Sequence, residues 1–205
     1  MASNLIRYIF YFLLIILLNN CKWLSWTSDS ISWTPDHYVN KSQTYKNVEN
    51  RKLNWNDFPG EPDNNSRAGA AILWDICYTY DSVYTYAASG QISEGLVGAN
   101  IKVFAGIGSL SWVDPIARNS YVLNHEQKHY DIAKAYAAKF RKIVPSLKPF
   151  PRFNWLGKMD SVRNLIRLNC LSIQKKYDKD TKHGADELYQ EKWNKRVDSL
   201  LHSIN

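Results

Sequence analysis

The chain has 205 residues, of which 45% are hydrophobic and 22% charged, with Gly 9 and Pro 7. That composition allows one compact domain, or two at most, and excludes a disordered, collagen-like or coiled-coil chain. The net charge of +7 is uneven: residues 139–205 carry 15 Lys and Arg against 7 Asp and Glu, while residues 1–138 are near neutral. Those basic residues stand singly among apolar ones with no nucleic-acid-binding motif, so they read as solvated helix faces and no nucleic-acid partner is expected.

Arg7 is the only charge in the first twenty residues, and an unbroken apolar run follows from Tyr8 to Leu18. Eleven residues are too few for a membrane span, which needs about 20, but they suit the core of a signal peptide. Leu18 precedes Cys21 at the spacing of a lipoprotein signal, although Asn20 stands where a small residue is usual. The expectation is an exported chain with residues 1–20 removed and Cys21 as lipid acceptor, which would give membrane contact through that lipid. Export places Cys77 and Cys170 in an oxidising compartment, where a disulfide and two buried free thiols are both open readings.

Residues 21–50 are polar and irregular and read as a tether, with the domain at 51–205. Leu53 to Gly60 ends in a turn signal, and Pro62 to Ser66 prolongs the loop. Ile72, Trp74, Ile76, Tyr78 and Tyr80 alternate with smaller or polar residues, which is strand spacing. Asp81-Ser82 before Val83 to Tyr86 then suggests a hairpin. Leu96 to Ala105 reads as a further strand, and Ser111 to Pro115 closes the β half. After Asn119 the period becomes helical, with Val122, His125, His129, Ile132, Ala133, Tyr136 and Phe140 on one face until Pro145. A second helix is expected over about 158–177 (Val162, Leu165, Ile166, Leu168, Ile173). A third follows over about 185–202 (Tyr189, Trp193, Val197, Leu200). Strands first and helices after argue for an α+β domain, an antiparallel sheet followed by three helices.

His125-Glu126-Gln127-Lys128-His129 is an H-E-x-x-H pentad inside the first of these helices. Its histidines are one turn apart on one side and can share a tetrahedral metal, with Glu126 placed as general base for a water. Zinc at such a site lowers the pKa of water towards about 7 and polarises the carbonyl under attack. Chance produces the pattern in roughly one such chain in three hundred. The extended motif with Gly and His at 132 and 135 is absent, since Ile132 and Ala135 stand there. A third ligand must therefore come from elsewhere. His183, in the stretch from Tyr177 to Gly184, is the leading histidine, ahead of His37 in the tether and His202 near the C-terminus. Asp178, Asp186 and Glu187 are rival carboxylates. Tyr177 and Asp178 can alternatively serve behind the ligands or as oxyanion donors.

The chain resembles a bacterial family of predicted secreted zinc-dependent proteases. The residues that carry the resemblance are Leu53-Asn54-Trp55-Asn56-Asp57-Phe58, Ser111-Trp112-Val113, Leu123 to Ala133 around the pentad, Tyr177-Asp178 through Thr181, His183-Gly184, Gln190 and Trp193. Lys128 and Tyr130 depart from the residues usual in that family. The resemblance implies a zincin-like fold and His183 as third zinc ligand. Two functions are then in contention. One is an exported zinc metallopeptidase acting on peptide or protein substrates. The other is a non-catalytic surface lipoprotein with a structural zinc or an affinity for an envelope polymer. Glu126 favours the first, because a structural site gains nothing from a carboxylate beside its ligand.

Overall fold

Ile76 and Tyr78 point the same way from one strand, and Val103, Ala105 and Ile107 do so from its neighbour. This alternation builds one apolar sheet face. The computed structural model describes residues 44–80, 95–96, 101–147, 150–151 and 155–203. The leader 1–20, Cys21, His37, the tether up to residue 43 and the Val83–Tyr86 arm of the expected hairpin lie outside the described residues. The strands are β1 (Tyr45–Asn47), β2 (Ala70–Ala71), β3 (Trp74–Tyr80), β4 (Gly95–Leu96), β5 (Ile101–Gly108), β6 (Trp112–Val113) and β7 (Phe150–Pro151). Three of them form an antiparallel sheet in the order β1-β5-β3, with Ile76 opposite Ala105 and Tyr78 opposite Val103. β2 pairs with β6 and β4 with β7, each as a short antiparallel ladder.

The helices are α1 (Ser120–Ile143), α2 (Trp155–Thr181) and α3 (Glu187–His202). Thus the expected α+β order, a small antiparallel sheet and then three helices, is the observed one. Asn119 caps α1 by accepting a hydrogen bond from the Val122 amide at 2.9 Å. Just past its end, Pro145 sits in a short 3-10 turn, Val144–Leu147, where its missing N–H costs no helical bond. α1 is the central helix: Phe140 meets Tyr78 edge-on at 6.1 Å, and Tyr130 donates to the Ala105 carbonyl at 3.0 Å. On α2, Arg163 donates to the Ile76 carbonyl at 2.6 Å and pairs with Asp75 at 2.6 Å, which ties the helix to the β3 edge. Among the described residues no helix is long and apolar enough to cross a membrane.

Several boundaries differ from those read in the sequence. Tyr45–Asn47, assigned to the tether, is the strand beside β5, and Val48 behind it is buried among apolar residues. The strand expected from Leu96 is two strands, since β4 pairs with β7 and β5 begins only at Ile101. α2 runs one turn further than expected, to Thr181. Its buried stripe is Met159, Arg163, Ile166, Cys170, Gln174, Tyr177 and Thr181, whereas Leu165 and Leu168 are 61% and 59% exposed. Ranking faces by apolar content misses this stripe because two of its members are polar groups satisfied by partners on other elements.

Of the two readings left open for the cysteines, the structure has the free thiols and not the disulfide, at Cys77 and Cys170. Cys170 lies on the inner stripe of α2, beside Gln174. Cys77 alternates to the sheet face opposite Ile76 and Tyr78, against Gly106 and Tyr45. Burial, with the nearby Asp75 charge, pushes the Cys77 thiol up to about 12, and burial pushes Cys170 to about 12 as well.

Candidate metal centre

His125 and His129 follow one another on α1 and are both buried, with their Nε2 atoms 3.2 Å apart. Asp178, on the last turn of α2, brings Oδ1 to 2.9 Å from His129 Nε2 and 3.4 Å from His125 Nε2. These three side chains form a group that can hold a metal ion. Ligands about 2.0–2.2 Å from a tetrahedral zinc lie about 3.3 Å from each other, so the observed spacings suit one ion without rearrangement.

The rear of each imidazole is held as a ligand requires. His125 Nδ1 faces Gln190 Oε1 at 2.9 Å, and His129 Nδ1 faces Gln174 Oε1. A carboxamide oxygen only accepts, so each Nδ1 carries a proton and each Nε2 is the atom that can offer a lone pair to a metal at the front of the site. The amides cannot turn round freely. Gln174 Nε2 donates to the His129 carbonyl at 2.8 Å, and Gln190 Nε2 donates to the Tyr177 hydroxyl at 2.6 Å and to Asn194 Oδ1 at 2.9 Å. Tyr177 stacks on His125 with ring centroids 4.8 Å apart and donates to the His125 carbonyl at 3.2 Å.

Electrostatics follow this packing. Burial lowers the basicity of His129, but its bond to Asp178, the Glu126 and Asp178 charges and Gln174 outweigh burial, so its pKa is raised. Burial acts to raise Asp178, yet the two imidazoles prevail and hold it well below the usual carboxylate range. Burial raises the Tyr177 hydroxyl far above its ordinary value, so it stays protonated.

Glu126 is buried and lies on the same groove. Its Oε2 accepts from the Ile72 amide at 3.0 Å, while among the described residues Oε1 has no partner. The groove encloses about 780 Å3 between the 66–72 segment, α1 and α2. The expected ligand His183 lies at its rim, with a side chain 79% exposed and Nδ1 3.7 Å from Asp178 Oδ1. It is outside the three-residue group, and Asp178 stands inside because α2 continues through it. Asp186 instead caps α3 through the Tyr189 amide and pairs with Lys182, and Glu187 is exposed on the first turn of α3. Lys182, His183 and Gly184 all have positive φ. At Gly184 a Cβ would come within 3.2 Å of the His125 ring, so only glycine lets the loop close over the imidazole.

Sequence reasoning missed Gln174 and gave Gln190 no role. The available signal was position: Gln174 lies four residues from Cys170 and from Asp178, on the inner stripe of α2. Comparison of the chain with known protein families, curated proteins and solved structures gives no match.

Proposed function

We propose that the protein is a zinc-dependent peptidase of zincin-like fold, with His125, His129 and Asp178 as metal ligands and Glu126 as general base. The observation that carries this reading is the convergence of two Nε2 atoms and one carboxylate oxygen, each imidazole backed by a carboxamide, beside a second carboxylate on a groove. The group has three members among the described residues. A catalytic zinc usually has three protein ligands, whereas a structural zinc has four. When bound, zinc supplies a Lewis acid that polarises the scissile carbonyl and acidifies water. Glu126, anchored through Oε2, takes the proton of the attacking water on Oε1 and returns it to the leaving amine. Gln174, Gln190 and Tyr177 keep the imidazoles in one tautomer and orientation throughout.

A peptide substrate is supported by the edge of β2 that, among the described residues, pairs with no strand. The Asp114 amide donates to the Gly69 carbonyl, so antiparallel alternation turns the Ala70 N–H and C=O away from β6. Ile72, of the same parity, sends its N–H to Glu126 on the groove side. An extended chain laid along Ala70 would find a donor and an acceptor there. The leader, with Cys21 as a lipid site, places this activity outside the cytoplasm in our reading, and the likeness to predicted secreted zinc-dependent proteases points the same way. Glu126→Gln, measured by elemental analysis and peptide digestion, is expected to retain one zinc per chain and lose about 10²–10⁴-fold in hydrolysis. Hydrolysis at the wild-type rate by that variant would refute the assignment.

A further inference from the structure

We propose that the groove selects acidic peptide segments, an inference that rests on the peptidase reading and names its substrate class. Arg67 stands on the 66–72 wall, and Lys175 and Lys182 stand on the opposite wall. Among the described residues two carboxylates line the same groove, Glu126 and Asp178, and both are committed to the proposed centre. All three cations are exposed. Lys182 shares its charge with Asp186 at 3.2 Å, but among the described residues neither Arg67 nor Lys175 has an ion-pair partner. Along α2, Lys175 lies three residues before Asp178, and Lys182 lies four residues after it, just past the helix end, so positive charge flanks the centre on both sides. Trp74, Val122 and Leu171 line the same groove and give it apolar surface. A peptide with an apolar middle and Asp or Glu on its flanks matches this lining, and a Lys-flanked one meets like charge on either wall.

The test uses three peptides with one central sequence and Glu, Ser or Lys flanks. Cleavage by the zinc-loaded chain is read as kcat/KM, and binding to zinc-loaded Glu126→Gln as fluorescence anisotropy. Glu flanks are expected to exceed Lys flanks by about tenfold in both readouts, with the gap narrowing as salt screens it. Arg67→Glu with Lys175→Glu should reverse the order, whereas Lys195→Glu on α3 should leave the ratio as it was. Equal binding of all three peptides would overturn the proposal even if zinc-dependent cleavage is intact. Preferential binding of the Glu peptide without cleavage of any would uphold the acidic selectivity and discard the hydrolytic reading alone. Displacement of the Glu peptide by oligodeoxythymidylate at lower concentration than by free peptide would overturn it in favour of a nucleic-acid groove.

Discussion

In its N-terminal half α1 buries polar groups on two faces, and it uses that polarity differently on each. Towards the sheet, Gln127 accepts from the Leu53 amide at 2.7 Å and donates to Asp131, and Tyr130 bridges the Val48 amide and the Ala105 carbonyl. Each of those groups ends on a partner, and together they fix the helix against the segment that follows β1 and against β5. Towards α2 and α3, carboxamides hold the Nδ1 side of each histidine, and among the described residues the two Nε2 atoms meet only each other and Asp178, the members of the candidate metal group. Two buried imidazoles and a carboxylate packed front to front cost stability unless something ties them together. The sheet side is therefore built to hold, whereas the helix side gathers the group that can hold a metal.

The largest expected effect breaks the helix side. His129→Ala should abolish stoichiometric zinc and lower hydrolysis by more than about 10³-fold, while the metal-free protein loses only about 1–2 kcal/mol, chiefly from the unpartnered Gln174 oxygen. Elemental analysis with a melting curve of the chelated protein checks both halves. A collapse of the fold would show that the histidines hold rather than bind. Next is Gln174→Leu, which leaves the ligand in place and removes what orients it. Zinc affinity is expected to fall about 10–100-fold by chelator competition, and Gln174→Glu should recover much of it by accepting the same Nδ1 proton.

The pH dependence sharpens the same contrast. The raised pKa of His129 means that folding of the metal-free protein gains stability from the protonated ring. That gain is complete below the ordinary value of about 6.5 and is lost as pH rises through the raised value. Zinc requires the deprotonated ring, so the two trends oppose. Affinity should rise about tenfold per pH unit up to the raised value and then level off. Asp178, held low, stays ionised throughout. A flat affinity from pH 5 to pH 8 would mean that His129 is not a ligand.

How much was legible in the sequence follows from which forces act locally. α1 was readable from end to end because its signals are local: the Asn119 cap directly before it, the apolar period along it and Pro145 just past its end. The pentad was readable because a helical turn alone brings His125 to His129. The third member, Asp178, was readable only as one rival to His183 among several, because its position depends on where α2 ends. An apolar count stops the helix at Tyr177, but Thr181 continues it, its hydroxyl donating to the Tyr177 carbonyl at 2.8 Å. That extra turn puts Asp178 in the site and leaves His183 on the loop. Gln174 and Arg163 were hidden for a related reason. Each is a polar residue on an inner face whose partner, His129 or Asp75, is 45 or 88 positions away. The edge strand Tyr45–Asn47 carries little apolar signal of its own, and its place is set by pairing with Gly106–Gly108.

The effect expected to touch the site least lies on the sheet side. Gln127→Met keeps the volume but removes the acceptor for the Leu53 amide and the donor to Asp131, a carboxyl that burial already raises. Denaturant unfolding of the metal-free protein should register a loss of about 1–2 kcal/mol. Zinc affinity should change by less than about twofold, because Gln127 touches neither the imidazoles nor the carboxamides behind them. A drop in affinity as large as that of Gln174→Leu would show that the sheet contacts set the rotation of α1 and hence the aim of His125 and His129. The two faces would then be one device.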